Sequence, residues 1–566
     1  MNRREYQCLL IADFTVGGLA GHLQAVDRSS HVRCTVAPFD QVRRVLLDGE
    51  LDCWRPRPDV AVIWTRPEAA IESYGRLLQS EDVDPARILA NVEEFAALVR
   101  DAANRVGLLL VAGWVWPAYD RGLGLMNLDT RYGPAYHLLK MNARLAEVLS
   151  GVSNIFVLDA ARWQASAGSR GESLKLWYLG KVAFGPEVFR QAAVDIHAAL
   201  GATAGRARKL VVLDLDDTLW GGVVGDVGWE QLVLGGHDPM GEAFSAFQRT
   251  LKALSRRGII LGIVSKNTEA IALEAISRHP EMVLRLPDFA GWRINWEDKA
   301  GNIVELTKEL SLGLDSVVFI DDNPAERARV REALPAVLTP EWPATVMAYE
   351  QTLRGLDCFD LPSINAEDRR RVEMYAIERE RRGAAAHTAA LGDINQYLAS
   401  LEMRVIGERL SRANLPRAAQ LLNKTNQMNL RTRRLTEADL WAWAADPSHC
   451  TYTFRVQDRF GDYGLTGLAS VAFTGHVSEI EDFVLSCRVM GRGVEETMLS
   501  TLVSAARTRG ASALIARLRP TDRNQPCEKF FHDHSGFQRH EDVFTWEIGS
   551  SYPRPTHVTT EVAIDA

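Results

Sequence analysis

From residue 8 to about residue 200, short apolar runs alternate with longer stretches whose apolar positions recur every three or four residues. The runs CLLIADF (8–14), DVAVIW (59–64), VGLLLVAGW (106–114) and NIFVLDA (154–160) read as strands, and the stretches at 86–105 and 135–150 as amphipathic helices. This rhythm predicts a doubly wound parallel sheet. A Gly/Ala/Arg-rich link, GATAGRAR (201–208), leads into a second α/β rhythm. Here strand VVLDL (211–215), helix 244–258, strand IILGIVS (259–265), helix 268–279 and strand SVVFIDD (316–322) follow one another. The charged run EDRRRVEMYAIERERRGAA (367–385) predicts a helical connector. After about residue 400 the pattern turns α+β, with alternating strands at 451–460, 464–475 and 478–489 and a helix at 494–510. The expected organisation is a multidomain α/β chain. It comprises an N-terminal doubly wound domain (1–205), a central α/β domain (206–345), a helical connector (346–385), a C-terminal α+β domain (386–550) and a flexible tail (551–566).

At 566 residues the chain exceeds what one core supports, in keeping with several domains. Its 46% hydrophobic and 24% charged content is ordinary for globular protein. A net charge of −8 supplies no electrostatic footprint for nucleic acid. No apolar run approaches the roughly 20 residues of a membrane span. The opening MNRREYQCLLIADF is expected to be a first strand and not a signal peptide. Seven scattered cysteines with no CxxC pair suggest a reducing cytoplasm, without a disulfide framework or zinc site.

The chemistry concentrates where an apolar strand ends on carboxylates, in KLVVLDLDDTLWGGVVG (209–225). Packed carboxylates repel, so a positive partner is required. Asp214-Leu215-Asp216-Asp217-Thr218 has the D-x-D-x-T form that opens the haloacid dehalogenase-like (HAD-like) phosphatases. In that chemistry one carboxylate, here Asp214, attacks phosphorus, and a second two residues on, Asp216, protonates the leaving oxygen and later activates water. Mg²⁺ and a lysine offset the stacked charge. The remaining parts follow in order. Ser265, Lys266 and Asn267 stand at a strand end beside a helix start and suit a phosphate. Lys299 can neutralise phosphate and aspartate together, and Asp321 and Asp322 close another strand. The expected metal ligands are Asp214, Asp216 through its backbone carbonyl, and Asp321.

The segments LDLDDTLWGGVVGDVG, IVSKNTEAIALEAISRHPEMVLR, INWEDKAGNI and VVFIDDNPAERARVREALP together resemble the FkbH-like branch of that superfamily, a subfamily IIIC phosphatase fused to a further domain. AAQLLNKTNQMNLRTRRLT (418–436), DRFGDYGLTG (458–467) and SCRVMGRGVE (486–495) are also similar to it, so the resemblance spans residues 205 to 540. It implies a glyceryl-carrier-protein synthase. Such an enzyme takes a glyceryl unit from 1,3-bisphosphoglycerate, removes phosphate, and loads the unit on an acyl carrier protein for polyketide-type biosynthesis. The order of acyl transfer and dephosphorylation stays open.

Arg488-Val489-Met490-Gly491-Arg492-Gly493 reads R-x-x-G-x-G between a strand and a helix and resembles the pyrophosphate loop of GNAT-type acetyltransferases. With NQPCEKFFHDHSGF (524–537) it implies a GNAT-like C-terminal domain in which Arg488, Gly491, Arg492 and Gly493 bind phosphopantetheine. Cys487, directly before the loop, is the expected acyl shuttle, its thiolate favoured by Arg488 and the helix start. Cys450 and Cys527 are weaker candidates; Asp462, His532 or His534 is the expected base. The basic run Lys424, Arg431, Arg433, Arg434 either docks an acidic carrier, grips phosphates or forms a solvated face, and Asn423, Asn426 and Asn429 look like a site wall.

At the N-terminus, IADFTVGGLAGHL (11–23) resembles the first block of SGNH hydrolases, with Thr15 where a serine would stand. VDIH (194–197) lacks the matching D-x-x-H spacing, so this SGNH-like domain is expected to be non-catalytic. Two other readings fit the same residues: a phosphatase of a small metabolite fused to an acetyl-CoA-dependent acetyltransferase, and a carrier-binding scaffold with a silent phosphatase fold. The intact acidic cluster speaks against the scaffold.

Overall fold

The computed structural model describes residues 4–25, 30–117, 119–363, 375, 398–521, 523–540, 543–549 and 551–562, and the architecture below is that of these residues. The chain divides into two compact units, Met1–Ala207 with Leu356–Ser363, and Arg208–Gly355 with Ile364–Ala566.

The first unit is built on strands β1 (Arg4–Ala12), β2 (Ser30–Val36), β3 (Val60–Trp64), β4 (Leu108–Ala112) and β5 (Ile155–Leu158). They pair in parallel in the order β2-β1-β3-β4-β5, a doubly wound arrangement. β3 and β4 are buried along their whole length, which explains their unbroken apolar runs. Alternate residues of β1 feed opposite faces. Leu9 and Ile11 join Ile88, Val92, Phe95 and Met141 on one side, while Cys8, Leu10 and Ala12 join Leu19, Trp163, Phe189 and Ile196 on the other. β2 (SHVRCTV) is an edge strand with half-exposed residues, and its polar alternation hid it from the apolar pattern.

In the second unit, β6 (Leu210–Leu213), β7 (Ile260–Ser265), β8 (Phe289–Ile294) and β9 (Val317–Ile320) form a parallel sheet in the order β8-β7-β6-β9. Three helices leave its carboxyl side behind capping side chains. Asp238, Asp298 and Asn323 accept from the amides of Met240, Gly301 and Ala325, at the starts of helices Pro239–Arg256, Lys299–Glu309 and Pro324–Ala333. The helix after β7, Glu269–Arg278, starts at Thr268 without a side-chain cap, and the parallel pairing of β6 with β7 and β9 is what sets their carboxyl ends side by side.

The connector expected from residue 346 does not begin there. Helix Tyr349–Arg354 packs on helix Pro239–Arg256, with the Tyr349 ring 5.5 Å from Phe247 and 5.2 Å from Trp342. Tyr349 Oη donates to the Asp217 carbonyl at 3.1 Å, and the low charge of this stretch allows it to bury aromatic surface. The charged run 367–385 lies outside the described residues apart from Tyr375. Tyr349→Phe is expected to lower stability by about 1 kcal/mol, read by urea unfolding, because one buried hydrogen bond is lost and the ring stays.

The rest of the second unit carries β10 (Met403–Arg409), β11 (Met428–Asn429), β12 (His449–Asp458), β13 (Gly461–Thr474), β14 (Val477–Leu485), β15 (Ala513–Arg517), β16 (Gln538–His540), β17 (Val543–Glu547) and β18 (Val558–Val562). Their order is β16-β17-β15-β14-β13-β12-β10-β18, with β11 on β14. The buried helix Val494–Thr508 supplies Val494, Met498, Leu499 and Leu502 to the core. The described part of the expected flexible tail, residues 551–562, is ordered against the sheet. Val558–Val562 pairs in parallel with Met403–Gly407, and Tyr552 is buried with its hydroxyl on the Ser535 carbonyl at 2.7 Å. The alternating VTTEV suits an edge strand too short to stand out from its neighbours. Among the described residues no helix is long and apolar enough to cross a membrane.

Candidate functional site

The carboxyl ends of β6, β7 and β9 bring the acidic cluster together. Asp214 follows β6 directly, its amide held by the Ile320 carbonyl at 3.0 Å. Asp321 and Asp322 follow β9. Lys299, the first residue of its helix and only 3% exposed, donates from Nζ to Asp321 Oδ2 at 2.6 Å and lies 2.9 Å from Asp214 Oδ2. Burial alone would lower the lysine pKa, but Asp214 and Asp321 outweigh it and the net shift is upward. The same burial, with the charge of Asp214 behind it, raises the carboxyls of Asp321 and Asp322.

One lysine does not balance this charge. Asp214, Asp321 and Asp322 each offer a carboxylate oxygen, all within 4.8 Å of one another. Asp214 Oδ1 is buried without a hydrogen-bond partner. Hard oxygen donors, excess negative charge and an orphaned buried oxygen suit a small divalent cation. Asp322, not among the expected ligands, thus joins Asp214 and Asp321 in the carboxylate set; Asp216 was expected to contribute its backbone carbonyl and not its carboxylate. Thr218 Oγ1 donates to Asp322 Oδ1 at 3.1 Å and accepts from its amide at 3.2 Å, tying the two strand ends.

The Asp216 carboxylate is held differently. Its Oδ1 accepts from Trp220 Nε1 at 2.9 Å and the Val224 amide at 3.0 Å, and its Oδ2 from Asn267 Nδ2 at 2.9 Å. Burial nevertheless raises its pKa, with Asp214 and Asp217 adding to the rise. A carboxyl held in place with a raised pKa suits proton transfer. Asp217 adopts the left-handed φ of 53° that turns the chain just after these two aspartates, and its Oδ1 accepts from the Gly222 amide at 2.8 Å.

The expected phosphate group splits. Ser265 ends β7 and is 1% exposed. Asn267, expected on phosphate, holds Asp216. Lys266 pairs with Glu326 at 2.6 Å, which neutralises the charge it was expected to offer a phosphate. Asn267→Ala is expected to lower kcat about tenfold to a hundredfold with little change in KM, because Asp216 loses a positioning donor. That donor favours the ionised form, so its removal raises the Asp216 pKa. The alkaline limb of the kcat/KM profile, where a general acid is lost, should move to higher pH.

The C-terminal residues depart further from expectation. The backbone of Cys487 opens the turn Cys487–Val489 at the end of β14, and its side chain lies outside the described residues. Cys450 and Cys527 are core residues, and burial pushes the Cys527 thiol far up. Asp462 is paired with Arg455 and accepts from the Gly464 amide at 2.7 Å; these contacts outweigh partial burial and lower its pKa, a poor state for a base. His532 pairs with the adjacent Asp533 on an exposed turn, which also carries His534. In the expected phosphopantetheine loop, Arg488 Nε donates to Ser486 Oγ at 3.2 Å, Arg492 reaches Tyr463 Oη, and Gly491 and Gly493 take left-handed φ of 71° and 87°. The Gly491 amide donates to Glu495 Oε1 at 2.6 Å, so a side chain of this protein already holds the donor expected to meet phosphate.

The basic run also finds internal partners. Arg431 and Arg433 pair with Glu479, Glu481 and Asp482 of β14, and Arg434 holds Asn426 and the Leu422 carbonyl. Asn423 exchanges hydrogen bonds with the Leu435 backbone, and Asn429 holds Thr425 and Thr432. These asparagines brace a loop. In the first unit, Phe14, Trp64, Trp163, Phe184 and Phe189 pack together at the carboxyl end of the sheet. Thr15 Oγ1 is held on the Gly180 carbonyl at 2.7 Å, and buried His197 on that of Leu23 at 3.1 Å.

Sheet and site together define an α/β protein with a phosphatase-like domain. The N-terminal part of protein BF1531 from Bacteroides fragilis, which contains a phosphatase domain complexed with Mg, is similar at 30% identity and a TM-score of 0.58, over 64% of this chain and 95% of that one. The chain belongs to the same family as BF1531. Ribosomal-protein-S18-alanine N-acetyltransferase from Escherichia coli aligns at 11% identity and a TM-score of 0.21, over 26% of this chain and 96% of that one. Spermidine/spermine N-acetyltransferase SpeG from Vibrio cholerae aligns at 12% identity and a TM-score of 0.20, over 27% of this chain and 95% of that one. No family model and no curated protein matches the chain.

Proposed function

We propose that this chain is a Mg²⁺-dependent phosphatase coupled to an acyltransferase, and that it places a glyceryl unit from 1,3-bisphosphoglycerate on the phosphopantetheine thiol of an acyl carrier protein. The observation that carries the phosphatase half is Lys299 bridging Asp214 and Asp321 beside the unpartnered Asp214 Oδ1. The family shared with a Mg-complexed phosphatase domain supports it. Asp214, Asp321 and Asp322 would hold the ion, which, when bound, screens the carboxylate charge and orients the phosphate.

A carboxylate oxygen of Asp214 attacks phosphorus, and the bond from phosphorus to the substrate oxygen breaks. Asp216 gives its proton to that oxygen. Asp216 then takes a proton from water as the water oxygen attacks phosphorus, and Asp214 is released with inorganic phosphate. Lys299 stabilises charge on the equatorial oxygens, and Ser265 closes the phosphate pocket.

The transfer half rests on the resemblance of segments 418–436, 458–467 and 486–495 to FkbH-like proteins. Cys487 would attack the acyl carbon of 1,3-bisphosphoglycerate, expelling the acyl phosphate as inorganic phosphate, and pass the acyl group to the carrier thiol. The 3-phosphate is then left for Asp214. The test is intact-mass analysis of a phosphopantetheinylated carrier protein incubated with the chain, Mg²⁺ and fresh 1,3-bisphosphoglycerate. A glyceryl mass that vanishes with Cys487→Ala supports the shuttle. Hydrolysis of simple phosphate esters with no mass gained on any carrier refutes the transfer half and leaves the phosphatase.

A further inference from the structure

A glycine turn feeding a helix start is a ready anion site, because its amides converge and the helix end is positive. The turn Gly491–Gly493 before helix Val494–Thr508 has that form, yet it is closed from within. Glu495 folds back so that Oε1 accepts from the Gly491 amide at 2.6 Å. The residue is 3% exposed, and its Oε2 is buried with no hydrogen-bond partner. Glu496 adds a second carboxylate to the same helix start. On the other side, His557 Nε2 lies 3.0 Å from the Arg492 carbonyl, and a Cβ at Gly493 would stand 2.9 Å from that nitrogen and 3.0 Å from Pro555.

A second closure lies in the sheet. β14 and β15 run parallel only from Val477 to Ile480 and from Ala513 to Ala516. Beyond that, Met428 and Asn429 pair with Leu485 and Val484. The Leu430 amide donates to the Phe483 carbonyl at 3.2 Å, and the Arg519 amide to the Leu430 carbonyl at 2.9 Å. Asn524 Nδ2 fixes the Asn429 carbonyl at 3.0 Å. Residues 428–430 thus take the backbone groups that two parting strands would otherwise offer an extended ligand.

We infer that Glu495 is the specificity-determining residue of this turn: its carboxylate stands where a phosphate would bind on the Gly491 amide and excludes nucleotide diphosphates such as coenzyme A. A phosphate arriving there meets a buried carboxylate that already occupies the amide, an arrangement low-dielectric surroundings penalise heavily. Where the domain handles an acyl group, a step that rests on the proposed function, that group must then come on a carrier without a nucleotide diphosphate. The inference stands on the turn alone and is independent of the phosphatase assignment.

The test is calorimetric titration of the full chain with inorganic pyrophosphate and with coenzyme A, in metal-free buffer where the aspartate cluster repels anions. Wild type, Glu495→Gln and Glu495→Ala are compared, with melting curves to establish folding. No saturable heat is expected from the wild type with either probe. Saturable pyrophosphate binding should appear in Glu495→Ala, on the order of tenfold or more tighter than the weakest binding the titration detects, with weaker binding in Glu495→Gln, which loses the charge and keeps an acceptor. Coenzyme A should gain less than pyrophosphate, because residues 428–430 still fill the sheet. Saturable binding of either probe to the wild type overturns the inference, and so does a folded variant pair with no gain for pyrophosphate.

Discussion

Asp214→Asn is expected to abolish phosphate release, with kcat down on the order of 10⁴-fold or more, while the folded protein becomes more stable in metal-free buffer. The loss of turnover follows from the loss of the attacking oxygen. The gain in stability follows from the cluster's charge balance. Burial is the larger cause of the raised pKa of Asp216, Asp321 and Asp322, and Asp214 adds to each rise, so its charge opposes three carboxylates and is answered by Lys299. Asparagine keeps an acceptor for Lys299 and removes the repulsion. On carrier protein, the same variant should accumulate phosphoglyceryl mass. Malachite-green phosphate release, urea unfolding and intact mass read the three effects. A variant that stays active, or one less stable than wild type without metal, would remove Asp214 from the role assigned to it.

Lys299→Met has the opposite sign in stability. Methionine has a similar length and volume to the buried lysine stem, so little packing is lost, but Asp214 and Asp321 are left without their common cation. Removing one member of a buried ion pair costs about 3–5 kcal/mol. Activity should fall about a hundredfold to a thousandfold, because phosphate charge in the transition state loses its nearest fixed cation. Mg²⁺ should recover part of the lost stability, and should raise the unfolding midpoint more in the variant than in the wild type, since a more negative site binds a cation more tightly. Equal midpoint shifts in the two proteins would mean that Lys299 and the ion do not share the carboxylates.

The difference between these two variants shows what could be read from the chain. D-x-D-x-T, the lysine before a helix and the paired aspartates are local patterns at strand ends, and the parallel order of β6, β7 and β9 brings them together. What could not be read was pairing between distant segments. Lys266 reads as a phosphate ligand until Glu326, sixty positions on, is found against it. Arg431 and Arg433 read as a basic face, yet β14 answers them with carboxylates from 48 positions away. Glu495 carried no sequence signal of its own within SCRVMGRGVE, and only its rotamer reveals that it caps the preceding glycine turn. Asn267 shows the same limit: its place beside Ser265 suggested phosphate, but the fold turns it toward Asp216. Strand β2 escaped for a simpler reason, since an edge strand exposed along one side has no need of a continuous apolar run.

The strand formed by Val558–Val562 has a consequence for how the protein is handled. It covers the outer edge of β10, whose residues alternate between buried and exposed along Met403–Arg409. A chain shortened before Val558 would leave that edge with a row of unpaired amides and carbonyls, a template on which another molecule's strand can add. Self-association of the shortened protein, seen as a rise in light scattering with concentration while the full chain stays unchanged, is the expected sign of the missing cover.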